Sequence, residues 1–203
     1  MEKLDLLVWS AQDLADAPAL LDLGVRGLAV SAAAGLENPP LLLGRGAELA
    51  GLVEVWVDSV DGWPALVEAV PSDAYLVTES VPQPPSGVPG LLTHLTWFPK
   101  PERLTDEDFF HGWQVVHTPS SAALHPRRQG YLRDAVARTL TPGSPPVRAI
   151  VSELFAVEDY LDPTRLFGGK EALDRTLQEL PLYADASTLS SCPVWQTVHL
   201  ARS

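Results

Sequence analysis

Hydrophobic and polar residues follow two different periods along this chain, and these periods predict its elements. Strict alternation predicts a β-strand, whereas apolar residues spaced roughly three to four apart predict an amphipathic helix. Alternating segments lie at residues 3–9, 26–31, 52–58, 74–81, 91–98, 130–139, 147–155 and 193–201. Helical segments lie at 11–23, 60–70 and 104–119, followed by a broken helical stretch at 158–180. Each half therefore has the order β-α-β-β-α-β, which is typical of a ferredoxin-like domain.

A segment rich in proline and glycine separates the two halves. Residues 82–90, PQPPSGVPG, contain four prolines and two glycines. Such a composition cannot hold a helix or a central strand, so we interpret it as a linker. The predicted organisation is a degenerate first half at residues 1–81, the linker at 82–90 and a second half at 91–203.

The two halves are also similar in sequence. Segment 51–63 lines up with segment 149–160, and in both a glutamate lies centrally in an apolar strand that leads into an acidic helix start. A repeat of about 90 residues indicates a domain duplication. The predicted fold is α+β, with two fused ferredoxin-like βαββαβ halves that form an α/β barrel.

The strand faces indicate what lies between the two sheets. The valines of segment 52–58 suit packing beneath a helix, which places Glu54 and Trp56 on the opposite, inner face. By the same alignment, Glu153 and Phe155 are expected on that inner face. Carboxylates and aromatic rings there indicate a cavity rather than a dry core, because an unpaired buried carboxylate is costly.

The composition argues against several classes of protein. Lys and Arg number 14 against 26 Asp and Glu, a formal net charge of −12, so no basic patch is available for nucleic acid or an anionic membrane. The single cysteine, Cys192, cannot form an intrachain disulfide. No signal-peptide pattern and no apolar run of about 18 residues is present. We expect a cytoplasmic protein with neither nucleic-acid nor membrane partners.

The helix predicted at residues 104–119 carries the candidate chemistry. Thr105 suits its N-cap, and Pro119 is expected to end it near Thr118. At the helical period His117 lies on the aromatic face and His111 on the opposite, solvent face. His117 is therefore either a half-buried packing residue or a functional base.

Residues 109–119, FFHGWQVVHTP, resemble the F-x-x-x-W-x-x-x-H-x-P signature of EthD-like proteins, which belong to the dimeric α+β barrel group. The strand that begins at Tyr131, the strand with Glu153, and Ala184-Asp185 are also similar to that family. The resemblance covers about residues 91–203, and the first half shares it only through 51–63. Asp134-Ala135 replaces the family's Asn-His, and Asp16-Ala17-Pro18 in the first half lacks the histidine.

The resemblance implies small-molecule chemistry without a cofactor. Relatives in this barrel group include cyclases, decarboxylases and monooxygenases that need no cofactor. The implied partner is a small apolar or aromatic ligand. Because the family closes its barrel by pairing two chains, a homodimer is also compatible with the resemblance.

The candidate site combines a base with polar and aromatic neighbours. A histidine has a pKa near the working pH, and a tyrosine or a glutamic acid can hydrogen-bond a developing enolate. The predicted catalytic residues are His117, Glu153 and Tyr131. The predicted substrate-binding residues are His94, Glu54, Trp56, Trp113 and Trp195. A structural ion pair remains an alternative role for the carboxylates. Ordinary core packing remains an alternative role for the tryptophans.

Three functions remain open at this point. The leading hypothesis is an EthD-like enzyme of the cyclase or decarboxylase type that acts on an aromatic or polyketide-like substrate, with His117 as general base. The alternatives are a non-catalytic ligand-binding or stress-response protein, and a monooxygenase-type oxidoreductase. The histidines show no H-E-x-x-H or other dense ligand spacing, so no metal site is predicted, although separated residues can meet in space.

Overall fold

The computed structural model of the protein describes residues 1–200. Eight strands lie in this range: β1 (Glu2–Val8), β2 (Gly27–Ala33), β3 (Gly51–Val57), β4 (Asp73–Gln83), β5 (Leu92–Pro99), β6 (Gly130–Thr139), β7 (Val147–Phe155) and β8 (Ser190–Leu200). The predicted last strand extended to Ala201, which lies outside the described residues.

Short helices connect the strands on the outside of the sheet. Those in the described range are α1 (Ala11–Ala15), α2 (Trp63–Ala69), α3 (Asp106–Phe110), a π-helix (His111–His117), α4 (Thr118–Leu124), α5 (Val157–Leu161), α6 (Pro163–Leu166) and α7 (Lys170–Glu179). Single 3₁₀ segments lie at Ala17–Leu23, Gly44–Glu48, Val60–Gly62, Leu180–Leu182 and Ala186–Thr188. None of the helices in residues 1–200 has the length and apolar character needed to cross a membrane.

The strands close into one antiparallel barrel in the order β1-β3-β2-β8-β5-β7-β6-β4. Within the first half the order is β4-β1-β3-β2, and within the second half it is β8-β5-β7-β6, which is the same arrangement twice. The halves join where β2 pairs with β8 and where β4 pairs with β6. The predicted α+β barrel of two ferredoxin-like halves is therefore confirmed. The proposed division at residues 82–90 stays a prediction.

Apolar side chains from both halves fill the middle of the barrel. This core includes Leu7, Leu52, Tyr75, Leu95, Trp97 and Ile150. Helices cover the outer faces: in the first half Leu14 and Leu66 pack against the valines of β3, as predicted. In the second half the cover consists of Phe109, Trp113 and Tyr183. From the centre outward, the protein therefore consists of the packed interior, the closed sheet and the covering helices.

Glu54 and Glu153 lie on opposite sides of the barrel wall. Glu54 on β3 lies directly opposite Asp5 on β1 in the strand register, and its side chain faces the interior. Glu153 shares its face with Phe155, which packs against Tyr160 of α5 outside the barrel. The prediction that Glu153 and Phe155 face inward is wrong. A slip of one residue between the duplicated strands reverses every side chain, and the sequence alignment did not fix that register.

The helix with the candidate histidine does not end at Thr118. Thr105 caps it as predicted, accepting a hydrogen bond from the Asp108 backbone N–H at 3.1 Å. The next turns widen into the π-helix, in which the Thr118 N–H donates to the Trp113 carbonyl. This wider register accommodates Pro119, which has no N–H to donate, and α4 continues to Leu124.

Candidate functional site

His117 lies at the C-terminal end of the π-helix, between the outer face of the second-half sheet and α7. Its side chain is buried, and its Nδ1 lies 3.0 Å from Oε2 of Glu179. Ser120 donates to the same carboxylate oxygen at 2.6 Å, and Arg175 donates to the other at 3.0 Å. An ionised carboxylate can only accept, so Nδ1 carries the imidazole proton and Nε2 presents a lone pair.

Burial sets the protonation state of this pair. Desolvation lowers the pKa of His117 below its ordinary value, although the hydrogen bond to Glu179 and the charge of Glu153 act against it. Burial also opposes ionisation of Glu179, but the hydrogen bonds from Ser120, His117 and Arg175 outweigh it and lower the pKa of that carboxyl. The pair is therefore a neutral imidazole held by a carboxylate, which is the arrangement of a general base and its orienting partner.

Glu153 is held by an arginine. Nη1 of Arg128 lies 2.6 Å from Oε1 of Glu153, and the same guanidinium donates to Ser121 Oγ at 3.1 Å and lies over the Tyr131 ring at 4.2 Å. Burial would raise the pKa of Glu153, but the charges of His125, Arg128 and His94 lower it to about 2. Glu153 is thus an anion in an ion pair, which matches the structural alternative and not a proton donor.

The other predicted residues of the second half lie in the same layer. Tyr131 is buried opposite Glu153 on the neighbouring strand, and burial raises the pKa of its hydroxyl, which stays protonated. His94 has Nδ1 at 3.4 Å from the Tyr160 hydroxyl, and burial lowers its pKa to about 4. Trp113 is fully buried beside Phe98. These residues surround one polar cluster beneath the helices.

The remaining predicted binding residues lie elsewhere. Glu54 lies inside the barrel, where Gln196 donates to it at 2.7 Å. Trp56 lines a cavity of about 460 Å³ at one end of the barrel, together with Lys3 and Glu79. Trp195 is on the outer surface of β8 and is 37% exposed. The structure does not bring these three residues to the His117 layer.

A second cavity of about 290 Å³ lies at the other end of the barrel, lined by Trp97, Phe98 and the loop that precedes β8. Neither cavity is lined by His117, Glu153, Tyr131 or His94. The predicted site, which combined His117 with the inner-face residues Glu54 and Trp56, is therefore not formed around either cavity. The imidazole lies on the helix side of the wall, where Tyr183 packs on its ring at 4.7 Å between centroids.

Sequence reasoning missed three residues of this layer. Glu179 holds His117 through a hydrogen bond, and Arg128 holds Glu153 through an ion pair. His125, which precedes Pro126, is buried, and its Nδ1 lies 2.9 Å from the Leu166 carbonyl. The partners of all three are 25 to 62 positions away along the chain, so no local spacing could reveal them.

Comparisons with known proteins show the fold. The "anthrone oxidase-like protein" has a TM-score of 0.58 and 13% identity, and a "Putative monooxygenase" from Fusobacterium nucleatum has a TM-score of 0.52 and 9% identity. Each likeness covers 100% of this chain and 94% of the other. The chain has the α+β barrel fold of these proteins. No family model and no curated protein matches it.

Proposed function

We propose that this chain is an EthD-like small-molecule enzyme that uses His117 as a general base, without a cofactor. The proposed substrate is an enolisable aromatic or polyketide-like compound, and the proposed reaction is a proton transfer of the cyclase or decarboxylase type. The observation that supports it is the His117–Glu179 pair, which leaves Nε2 of a neutral, buried imidazole as the basic atom.

The proton transfer follows from the two protonation states. A substrate C–H bond breaks, its proton moves to Nε2, and the electron pair stays on the substrate as an enolate. Glu179 stabilises the imidazolium that forms, as a carboxylate does for any histidine base. Tyr131, held protonated by burial, is the group suited to donate a hydrogen bond to the enolate oxygen.

Substrate access requires the cover over His117 to move, and α7 is suited to that movement. None of the α7 residues is fully buried, and Leu177 is 56% exposed. Two glycines with positive φ, Gly168 at 65° and Gly169 at 106°, precede the helix and provide a hinge. Opening α7 would break the Glu179 contacts and closing it would restore them, so substrate enclosure and orientation of the base are coupled.

A monooxygenase-type oxidoreductase is the second candidate. Both structural neighbours carry names of oxidising proteins. The same base would serve it: anthrone loses a proton, and the enolate with O₂ gives anthraquinone and water. The third candidate is a non-catalytic ligand-binding or stress-response protein, which is favoured by the fact that neither described cavity reaches His117.

A turnover assay separates the two enzymatic candidates. Anthrone and a panel of polyketide-like phenols are incubated with the protein while oxygen uptake and product mass are recorded. Turnover without oxygen uptake supports proton-transfer chemistry, whereas uptake equal to product supports the monooxygenase. His117→Ala should lower the rate by about 10²–10⁴-fold, the usual contribution of a general base. His111→Ala, on the exposed face of the same π-helix, is the matched control. Equal rates for both variants would contradict the proposal.

A further inference from the structure

Inside the barrel, away from His117, four carboxylates surround a single lysine. The carboxylates are Asp5 on β1, Glu54 on β3, Glu79 on β4 and Asp134 on β6. Lys3 is enclosed by them and the barrel wall, and its residue is only 5% exposed. Three of the acidic residues, Asp5, Glu54 and Asp134, are themselves buried. A buried carboxylate must be paired, bind an ion or take up a proton.

Lys3 cannot satisfy all four carboxylates. Its Nζ lies 2.7 Å from Glu54, 2.9 Å from Asp134 and 3.0 Å from Glu79, and these contacts use the three hydrogens of the ammonium group. Asp5 is left at 3.7 Å. Neither oxygen of Asp5 has a hydrogen-bond donor, and Oδ1 of Asp134 also has none. Both side chains are more than nine-tenths buried, so these oxygens are not reached by bulk water.

The cluster therefore lacks positive charge on one side. With all four carboxyls ionised, one lysine leaves a formal charge of −3 inside the barrel. Burial and the neighbouring carboxylates therefore raise the pKa of Asp5 well above its ordinary value. The ligand oxygens of Asp5, Glu54 and Asp134 lie within 4.8 Å of one another. Opposite oxygens around Ca²⁺ are about 5 Å apart, because each bond is about 2.3–2.6 Å long, whereas Mg²⁺ needs shorter bonds.

We propose that Asp5, Glu54 and Asp134 bind a divalent cation of the size and hardness of Ca²⁺ inside the barrel, beside Lys3. The ion would take up the oxygens that Lys3 leaves without a donor. Oxygen ligands alone select a hard cation over zinc or copper. The ligands come from both halves of the chain, so the ion would link the first-half strands β1 and β3 to the second-half strand β6.

The cavity at this end of the barrel provides a route to the site. It has a volume of about 460 Å³ and is lined by Lys3, Trp56 and Glu79. A hydrated ion can thus reach the cluster from solvent past Glu79, which also lines the cavity and has a more exposed side chain than Lys3. The site is independent of His117, so its test does not depend on the proposed enzymatic function.

Calorimetric titration tests the site directly. The intact protein is freed of metal with EDTA, exchanged into chelator-free buffer at neutral pH and titrated with Ca²⁺, with Mg²⁺ in a parallel experiment. We expect one Ca²⁺ per chain, a higher melting temperature with Ca²⁺, and weaker binding of Mg²⁺. Asp5→Asn should weaken Ca²⁺ binding by at least roughly 10–100-fold, the loss found even for supporting residues of metal sites.

Two further variants test whether the three proposed ligands bind the ion. Glu79→Gln removes one charge beside the same lysine but none of the three ligands, so it should retain Ca²⁺ binding. Asp134→Asn gives a second ligand variant if Asp5→Asn does not fold. The absence of Ca²⁺ binding at millimolar concentration would overturn the proposal, as would equal losses in Asp5→Asn and Glu79→Gln. A metal-free protein that is stabilised by acid, through Asp5, to the same extent as by Ca²⁺ would show that protons supply the missing charge instead.

Discussion

Arg128 and Glu153 form a close ion pair, 2.6 Å apart, in the layer between the second-half sheet and its helices. Their side chains are only 2% and 16% exposed, so water does little to screen either charge. The arginine also contacts Ser121 and the ring of Tyr131, and it therefore connects α4, β6 and β7. This pair positions the strand residues on which the His117 cluster rests.

Removing Arg128 should show how strongly an unpaired, buried Glu153 destabilises the protein. Arg128→Met is expected to lower the free energy of unfolding by about 3–5 kcal/mol, because Glu153 remains buried without its partner. The double variant Arg128→Met/Glu153→Gln should recover most of the loss. Denaturant unfolding measures both values. Arg127→Met, at the exposed neighbouring position, is the control and should change little. A double variant no more stable than Arg128→Met would contradict this interpretation.

The stability of the protein should fall in mild acid because of His94. Burial lowers the pKa of His94 to about 4 in the folded protein. Between the unfolded value of about 6.5 and that of the folded state, only the unfolded chain takes up the proton, which removes about 3 kcal/mol of stability as the pH falls. Asp134 acts in the opposite sense, since burial raises its pKa to about 6.

A variant isolates the contribution of His94 from that of Asp134. His94→Gln has no titrating ring and retains polar atoms for Thr96 and Tyr160, so the difference between wild type and variant should show the loss alone. Chemical unfolding across the range from neutral to mildly acidic pH measures it. Parallel pH profiles of stability for wild type and His94→Gln would show that folding does not lower the pKa of His94.

Gly112 should be needed for the packing of the π-helix. A Cβ at this position would overlap the carbonyl group of Leu182, which passes directly over it. Gly112→Ala is therefore expected to destabilise the protein by about 1–3 kcal/mol, as overpacking does elsewhere. Gly62→Ala is the control, because a Cβ there meets nothing within 4 Å. Thermal unfolding of both variants tests the difference, and an equal effect of the two would remove the steric argument.

Local patterns predicted the elements and their order. The alternation of β6 and β7 gave both strands with their observed ends, and Thr105 capped its helix as the capping pattern indicates. The helical period also placed His117 inside and His111 outside. These features depend on neighbours along the chain, so the sequence contains the information directly.

Features that depend on distant partners could not be predicted in this way. The face of Glu153 depended on a register shift of one residue, and the burial of His125 depended on Leu166 in a separate helix. Glu179 became the partner of His117 only through the packing of α7. The cluster around Lys3 combines four strands that meet only when the barrel closes.

The state of the His117 imidazole is the most direct test of the proposed base. Proton–nitrogen correlation spectra of the labelled protein, recorded from neutral to acidic pH, report which ring nitrogen carries the proton and the pKa of the ring. The structure predicts a neutral ring at neutral pH, protonated on Nδ1, with a pKa below its ordinary value, and a loss of the Nδ1–H preference in Glu179→Leu, which has no acceptor. A ring protonated on Nε2, or one already charged at neutral pH, would contradict the role of His117 as the base.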